Sequence, residues 1–305
     1  MKLLIAGGTG FVGKGIVNKL KKNHQITVVT RSSKKSIQLY PDIESIEWSS
    51  NILTTLIQEA DVVINLVGEN IGNKRWTSTI KNKIISSRVK STKKLCEIIE
   101  SIEPSSRPRL LNASAIGIYG LQKSINEQNC NVYTEDSLLP SPPLDFLSTV
   151  GQAWEGPLDS SKIENVVKLR FGVILHPSGG MINKLYLPFK FGLGGKVGSG
   201  KQPISWISLE DVIGIISYLI DNPNLNGVFN LVTKNILSQH EFAQTFAKIL
   251  NRPCVFPMPS IVVKFLFGQM GKELLLNGQS VSSNRLYSYN FKYPSLEKAL
   301  SDWYL

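Results

Sequence analysis

Residues 1–32 read MKLLIAGGTGFVGKGIVNKLKKNHQITVVTRS. Residues 2–6 are a short apolar run of strand length, followed at once by Gly7-Gly8-Thr9-Gly10-Phe11-Val12-Gly13. Val12, Ile16, Val17 and Leu20 then recur at helical spacing with lysines on the other face, and residues 25–30 form a second apolar run. The order is strand, glycine-rich turn, helix, strand: a βαβ unit. Each glycine has its own task. Gly7 lets the chain turn sharply out of the strand. Gly10 removes the side chain where a pyrophosphate approaches the backbone, and Gly13 lets the helix pack close to the sheet. The helix start offers free N–H groups and a positive dipole end to phosphate. Glycine-rich turns are common, but flanked by these elements in this order the turn predicts a dinucleotide site.

The end of the second strand selects the cofactor. An NAD site places Asp or Glu there, about twenty residues past the glycines, to hold the ribose 2′-hydroxyl. This chain has Thr30-Arg31-Ser32, with Lys34 and Lys35 close behind. A carboxylate would repel a 2′-phosphate, whereas a guanidinium binds it through two parallel bonds. The expected cofactor is therefore NADP(H); the competing reading makes Arg31 a solvated loop charge.

The chain has 305 residues, of which 42% are hydrophobic, so it can bury a large core. No apolar run approaches a membrane span, and the start runs into the fold without a signal h-region. Cys96, Cys130 and Cys254 lie far apart, as do the histidines, with no metal or redox spacing. This fits a reducing cytosol, and a cytoplasmic protein without metal is expected. The net charge of +11 raises the question of nucleic acid. The lysines are spread through helices rather than gathered in a block, so we read solvated faces plus attraction for an anionic cofactor, and no nucleic-acid or membrane partner. A monomer or homodimer acting on a small molecule is expected.

Residues 44–48 read as a third strand and 53–60 as a short helix. Residues 61–67 (DVVINLV) read as a central parallel strand buried on both faces. It ends in Gly68-Glu69-Asn70, placed to edge the nicotinamide side because ligands bind beyond the carboxyl ends of such strands. A long helix over 80–101, a fifth strand over 110–114, a polar loop over 120–143, a helix over 144–158 and a sixth strand over 166–171 follow. Residues 176–200 are glycine-rich and read as a mobile or ligand-covering segment rather than core. Ser208 is expected to cap a helix running to about 221, 227–232 to form a strand, and Ser238 to open a capping box with Glu241. The fold class is α/β: a Rossmann-type doubly wound parallel sheet over 1–175 and a smaller mixed C-terminal lobe over 176–305. The boundary is approximate, and individual segments can cross it.

GGTGFVG, NLVGEN over 65–70 and SAIGIYG over 114–120 resemble the extended short-chain dehydrogenase/reductase superfamily. Gly68-Glu69-Asn70-Ile71 with Arg75-Trp76-Thr77, Ser86-Ser87-Arg88-Val89, LRFGVIL over 169–175, and 191–200 followed by Trp206-Ile207 resemble more narrowly its YfcH-like, 39U-type "epimerase family" proteins. Residues 252–294 resemble that family's extra C-terminal domain. The resemblance implies a Rossmann core, NADP binding and a substrate lobe closing over the cofactor. The expected cofactor-binding set is Gly7, Thr9, Gly10, Phe11, Val12, Gly13, Arg31, Ser32, Trp48, Leu66, Val67, Gly68, Glu69 and Arg88. It also implies an oxidoreductase or epimerase-like enzyme. The alternative is a non-catalytic NADP(H)-binding regulatory protein, since some members carry a cell-division-inhibitor label.

The superfamily's proton relay is a Ser/Thr with a Tyr-x-x-x-Lys pair. Residues four apart share a helix face, and the lysine charge lowers the tyrosine pKa. Aligning Glu155 with the usual acidic residue puts Leu147 at the Tyr position and Gly151 at the Lys position, and neither moves a proton. Tyr119/Lys123 and Tyr186/Lys190 are also four apart, but Gly120 and Pro188 argue against a helix at either. Ser114 and Tyr119 remain as candidate catalytic residues. Asn70, Arg75 and Arg170 are further candidates for the site wall, and Trp154 and Trp206 read as packing residues.

Overall fold

Apolar runs alternating with amphipathic stretches set the order of elements. The computed structural model describes residues 1–125 and 132–305; Cys130 lies outside them. The first half comprises β1 (Lys2–Ala6), α1 (Phe11–Leu20), β2 (Gln25–Thr30), α2 (Ser33–Leu39), β3 (Glu44–Glu47), α3 (Leu53–Gln58), β4 (Val62–Asn65), α4 (Ser78–Glu100) and β5 (Arg109–Ala115). After a 3-10 turn (Ile116–Tyr119) come α5 (Phe146–Asp159), β6 (Val166–Phe171), β7 (Val173–His176), α6 (Gly180–Lys190), β8 (Pro203–Ile204) and β9 (Trp206–Ser208). The chain closes with α7 (Leu209–Asp221), β10 (Gly227–Leu231), β11 (Leu237–Ser238), α8 (Gln239–Ile249), α9 (Ser260–Leu274) and α10 (Leu296–Tyr304).

Seven strands form one sheet in the order β10-β6-β5-β4-β1-β2-β3. All its pairings are parallel. The strands are therefore buried on both faces. On one face Ile5, Val28 and Ile64 pack with Ile16 and Val17 of α1 and Val212 and Ile216 of α7. On the other, Leu4, Val29 and Val63 pack with Leu53 of α3 and Leu95 and Ile99 of α4. Strand order reverses between β1 and β4, and the crevice at their carboxyl ends is where such sheets bind ligands.

Past residue 175 the elements divide between two places. α7 packs on the α1 side of the sheet and β10 extends the sheet beside β6. α6, α8 and α10 gather around Trp206, Phe242, Phe246 and Leu300 as a separate cluster. Both predicted caps form: Ser208 Oγ accepts the Asp211 N–H at 2.9 Å, and Ser238 and Glu241 complete a capping box. Among the described residues no helix is long and apolar enough to cross a membrane.

Two expectations need correction. Residues 176–200 do contribute to a core, because α6 occupies much of them and buries Ile182 and Phe189 in the lobe cluster. Pro188 does not end that helix. It removes one N–H near the end, yet the Phe191 N–H still closes onto Leu187 O at 3.1 Å. Tyr186 and Lys190 therefore share a face, with Lys190 Nζ 5.4 Å from the Tyr186 ring. Tyr186 stacks on Tyr304 at 5.1 Å within the lobe, so the pair serves packing.

Candidate functional site: a basic cleft beside an apolar cavity

The glycine turn takes the shape its sequence predicts. Gly7 has φ +85°, the left-handed region that glycine adopts freely. A Cβ on Gly13 would lie 2.3 Å from Gly7 O, so only glycine lets the start of α1 fold back on the turn. Gly10 is the N-cap of α1 and supplies no side-chain cap, which leaves the first-turn N–H groups for an anion.

Over this turn lies a cleft of about 390 Å³. Of the predicted residues, Gly7, Thr9, Gly10, Arg31, Trp48, Leu66, Val67, Gly68 and Glu69 line it. Sequence reading missed Val29, Thr30, Ser87, Lys90, Ser91 and Lys94. The last four had a signal: positions 87, 90, 91 and 94 follow one face of a helix. Lys94 Nζ donates to Trp48 O at 2.6 Å and holds that wall in place. Arg31, Lys90 and Lys94 make the cleft cationic. Glu47, at the end of β3, is turned away: its Oε1 accepts the Ser33 N–H at 3.0 Å and the Ser33 hydroxyl at 3.1 Å. Those bonds hold its carboxyl below the usual range.

The remaining cofactor expectations are corrected in part. The Phe11 ring packs against Gly179, where a Cβ would meet it at 2.6 Å, and Val12 packs on the core, so neither side chain lines the cleft. Gly13 shapes the turn. Ser32 stands at the N-cap position of α2 without a side-chain cap bond, and its N–H donates to Thr30 Oγ1 at 3.3 Å. Arg88 lies under the cleft floor, 8% exposed. Its Nη1 donates to Glu69 O at 3.0 Å and Ile84 O at 2.9 Å, and its Cζ sits 4.6 Å over the Trp154 ring. A Cβ on Gly68 would fall 3.0 Å from that Cζ, so Gly68 lets the floor rest on the guanidinium. Burial pulls the Arg88 pKa down to about 10, against the opposing charge of Glu69.

Ser114 and Tyr119 do not open onto the cleft. Ser114 Oγ donates to Glu155 Oε1 at 2.6 Å, and Arg170 grips the same carboxylate through Nε and Nη2, each at 2.8 Å. Tyr119, 1% exposed, donates to Asn230 Oδ1 at 2.9 Å and accepts from Arg170 Nη1 at 2.8 Å. Burial raises the Tyr119 pKa, against the lowering influence of Arg170. The register of β5, β6 and β10 sets Ser114 beside Arg170 and Arg170 beside Asn230, which builds this buried network.

A second cavity, of about 160 Å³, lies between the β5–α5 junction and the lobe. Ile116 and Leu147 wall it on the sheet side, and Met181, Leu185 and Phe189 of α6 on the other. Asp145 caps α5 by accepting the Ser148 N–H at 2.8 Å, which fixes Leu147 in the second helical position. The Leu147 N–H donates to Glu273 Oε2 at 3.1 Å, and Gln269 Nε2 donates to Glu273 Oε1 at 2.7 Å. One turn on, a Cβ at Gly151 would lie 2.6 Å from Ile118 Cβ and 2.8 Å from its Cα. Among the described residues no group of His, Cys, Asp or Glu is arranged to hold a metal. Cys96 is buried, and desolvation first, then Glu100, pushes its thiol up to about 12.

A doubly wound parallel sheet, a glycine turn at its switch point and a basic cleft over both define a nucleotide-binding protein of the epimerase and short-chain dehydrogenase class. The chain belongs to the epimerase family proteins. It is 38% identical over 307 residues to an epimerase family protein of Staphylococcus haemolyticus, covering 99% of this chain and 98% of that one. It is 32% identical over 312 residues to epimerase family protein SDR39U1 of Bos taurus, covering 99% of each. Residues 3–137 match the NAD dependent epimerase/dehydratase family, and residues 258–303 a domain of unknown function, DUF1731. The crystal structure of human SDR39U1 (isoform 2) with NADPH superposes with a TM-score of 0.85 at 31% identity, covering 99% of both chains. UDP-glucuronic acid 4-epimerase from Bacillus cereus, at 18% identity and a TM-score of 0.71–0.74, shares the fold.

Proposed function

We propose that this chain binds NADP(H) in the basic cleft and acts as an oxidoreductase on a small molecule held in the neighbouring cavity. The observation that carries this reading is the set of three cations lining the cleft, Arg31 just past β2 and Lys90 and Lys94 on α4, with Glu47 turned onto Ser33. Arg31 would pair with the 2′-phosphate, and the first-turn N–H groups of α1 with the pyrophosphate. The relative crystallised with NADPH supports the same assignment. When bound, the nicotinamide gives or takes a hydride; the chain must orient the substrate, exclude water and handle the proton.

The usual Tyr-x-x-x-Lys relay is absent on this reading, since Leu147 and Gly151 stand in its place. Gly151 is also where α5 touches the 3-10 turn, and a lysine there would displace Ile118. The double variant Leu147→Tyr/Gly151→Lys is therefore expected to gain no epimerase activity and to lose about 1–3 kcal/mol of stability by overpacking. Chemical denaturation of the two single variants and the double variant checks this; a double variant as stable as the parent would contradict it.

The direct test follows NADPH consumption by purified protein against uncharged carbonyl compounds, and epimerisation of sugar nucleotides in parallel. Turnover of a carbonyl compound without sugar-nucleotide epimerisation is expected; robust epimerisation would overturn the reading. The positions Leu147 and Gly151 also favour a second reading, a non-catalytic NADP(H)-binding regulator. Tight NADPH binding with no turnover of any compound would select it.

A further inference from the structure

We propose that the outer face of the C-terminal lobe docks on an anionic lipid surface as a peripheral contact. The end of α6, the strap that follows it and the first half of α9 form this face. Its apolar side chains enter the headgroup region, and the lysines among them pair with lipid phosphates. The proposal is independent of the cofactor reading.

Two segments far apart in the chain build the face by pairing their backbones. The strap over 191–198 runs beside residues 252–258. Gly194 O accepts the Phe256 N–H at 3.2 Å, Lys196 O accepts the Met258 N–H at 2.8 Å, and Met258 O accepts the Gly198 N–H at 2.9 Å. A Cβ on Gly195 would lie 2.0 Å from Phe256 O, so glycine lets the two backbones touch. Arg252 Nε donates to Lys190 O at 2.7 Å and ties the end of α6 to the same edge. Phe191 is 74% exposed and Phe256 56%. α9 begins two residues after Met258. It buries Val263 and Met270, while Ile261, Val262, Phe265 and Leu266 are exposed at i, i+4 spacing, Phe265 at 80%. Single apolar residues on a surface need no explanation. Here ten of the twenty exposed large apolar residues fall within 187–193 and 255–266, and such a concentration marks an interaction surface.

Charge names the occupant. Residues 180–201 and 249–272 contain no Asp or Glu and seven Lys or Arg, so they hold +7 of the net charge of +11. Lys190, Lys196, Lys264 and Lys272 are exposed, and no ion pair among the described residues involves them. Glu273, next in the chain, is turned inward onto the Leu147 N–H and Gln269. In sequence the lysines look evenly spread, which predicts no membrane partner; the fold gathers these on one apolar face. Apolar side chains interleaved with lysines suit a bilayer interface, where burial and attraction for anionic lipid act together. A second copy of this chain is disfavoured, since a two-fold contact would set one acid-free surface against another. Nucleic acid would match the charge but leave Ile261, Val262 and Leu266 uncovered.

Co-sedimentation of the full chain with vesicles tests the proposal. The protein should pellet with vesicles of phosphatidylcholine mixed with phosphatidylglycerol and stay in solution with phosphatidylcholine alone. Each lysine near an anionic surface strengthens binding about fivefold, so Lys190→Glu/Lys264→Glu should bind the mixed vesicles at least about twentyfold more weakly. Phe191→Ser/Phe265→Ser should bind at least about tenfold more weakly, through lost apolar burial. Lys21→Glu/Lys22→Glu, just past α1, changes the net charge equally and should bind as the parent does. All six positions are exposed, so the variants should fold, and circular dichroism checks that they do. No pelleting with the mixed vesicles would leave the face to an acidic protein and overturn the proposal. Equal pelleting with phosphatidylcholine alone would remove the role of charge, and an equal loss in Lys21→Glu/Lys22→Glu would reduce the contact to overall charge; either overturns it. So does a parent dimer, seen by sedimentation velocity, that Phe191→Ser/Phe265→Ser dissociates, because the occupant is then a second copy.

Discussion

Arg170→Met is expected to lower folding stability by about 3–5 kcal/mol, because it strips the principal cation from a buried carboxylate. Arg170 and Glu155 are both nearly inaccessible and joined by two 2.8 Å bonds. Methionine fills much of the arginine volume, so the loss comes from the unpaired charge rather than from a cavity. Lys168 Nζ remains 3.5 Å from Glu155 Oε2, which places the effect toward the lower end. The pH dependence carries the same signature. Burial would raise the Glu155 carboxyl, but the hydrogen bonds and charge of Arg170, with Ser114 and Lys168, outweigh it and hold it below the usual range. A depressed folded pKa gives stability that is complete above the unfolded value, about 4.3, and is lost as pH falls through the folded one. In Arg170→Met that contribution should vanish at neutral pH, and burial is left to raise the Glu155 carboxyl, so the variant takes up this proton at mild acid while the parent does not, which narrows the gap there. Urea denaturation at pH 7 and pH 5 measures both effects; a change below about 1 kcal/mol, the range of an exposed pair, would contradict the account.

Gly10→Val is expected to abolish NADPH binding while leaving a folded protein. Gly10 has φ −77° and ψ 178°, an extended conformation open to any residue, so glycine is not needed there for its dihedrals. A Cβ would meet only Gly7 O, at 3.2 Å, which a shift of a few tenths of an ångström relieves. Glycine at this position instead keeps clear the approach to the α1 N–H groups. Two lost hydrogen bonds to a charged group, at about 1.5–3 kcal/mol each, weaken binding at least about a hundredfold. Gly13 makes the contrast, because its Cβ would sit 2.3 Å from Gly7 O and disturb the turn itself. NADPH fluorescence enhancement, with circular dichroism as the folding control, decides the matter. Enhancement retained in folded Gly10→Val would place the phosphates elsewhere.

The parts of this molecule that its sequence makes legible are those with a local period. β1, α1 and β2 show alternating apolar runs and a glycine turn with a required shape, and β4 is a continuous apolar run. α2 has no such period over SKKSIQL; it is secured by tertiary bonds, Ser36 Oγ to Ser45 Oγ at 2.7 Å and, just beyond its end, Tyr40 Oη to Gly8 O at 2.9 Å. The cleft face of α4 carries the helical spacing 87, 90, 91 and 94, but Lys90 and Lys94 sit among other exposed lysines of the same helix, which masks their shared direction. Ser114 and Tyr119 look like candidates for chemistry in sequence because their partners are far away in the chain. Glu155, Arg170 and Asn230 meet them only through sheet register and the packing of α5, which no local window contains. The apolar cavity is likewise assembled from the 3-10 turn, α5, α6, α8 and α9, so no local window contains it.

The measurement that bears most directly on the cofactor assignment is calorimetric titration of the unmodified protein with NADPH and with NADH, repeated on Arg31→Asp. A charge-assisted pair between Arg31 and the 2′-phosphate is worth about 1.5–3 kcal/mol, so NADPH should bind at least about tenfold more tightly. In Arg31→Asp the preference should narrow or reverse. Equal affinities for the two nucleotides in the unmodified protein would contradict the account.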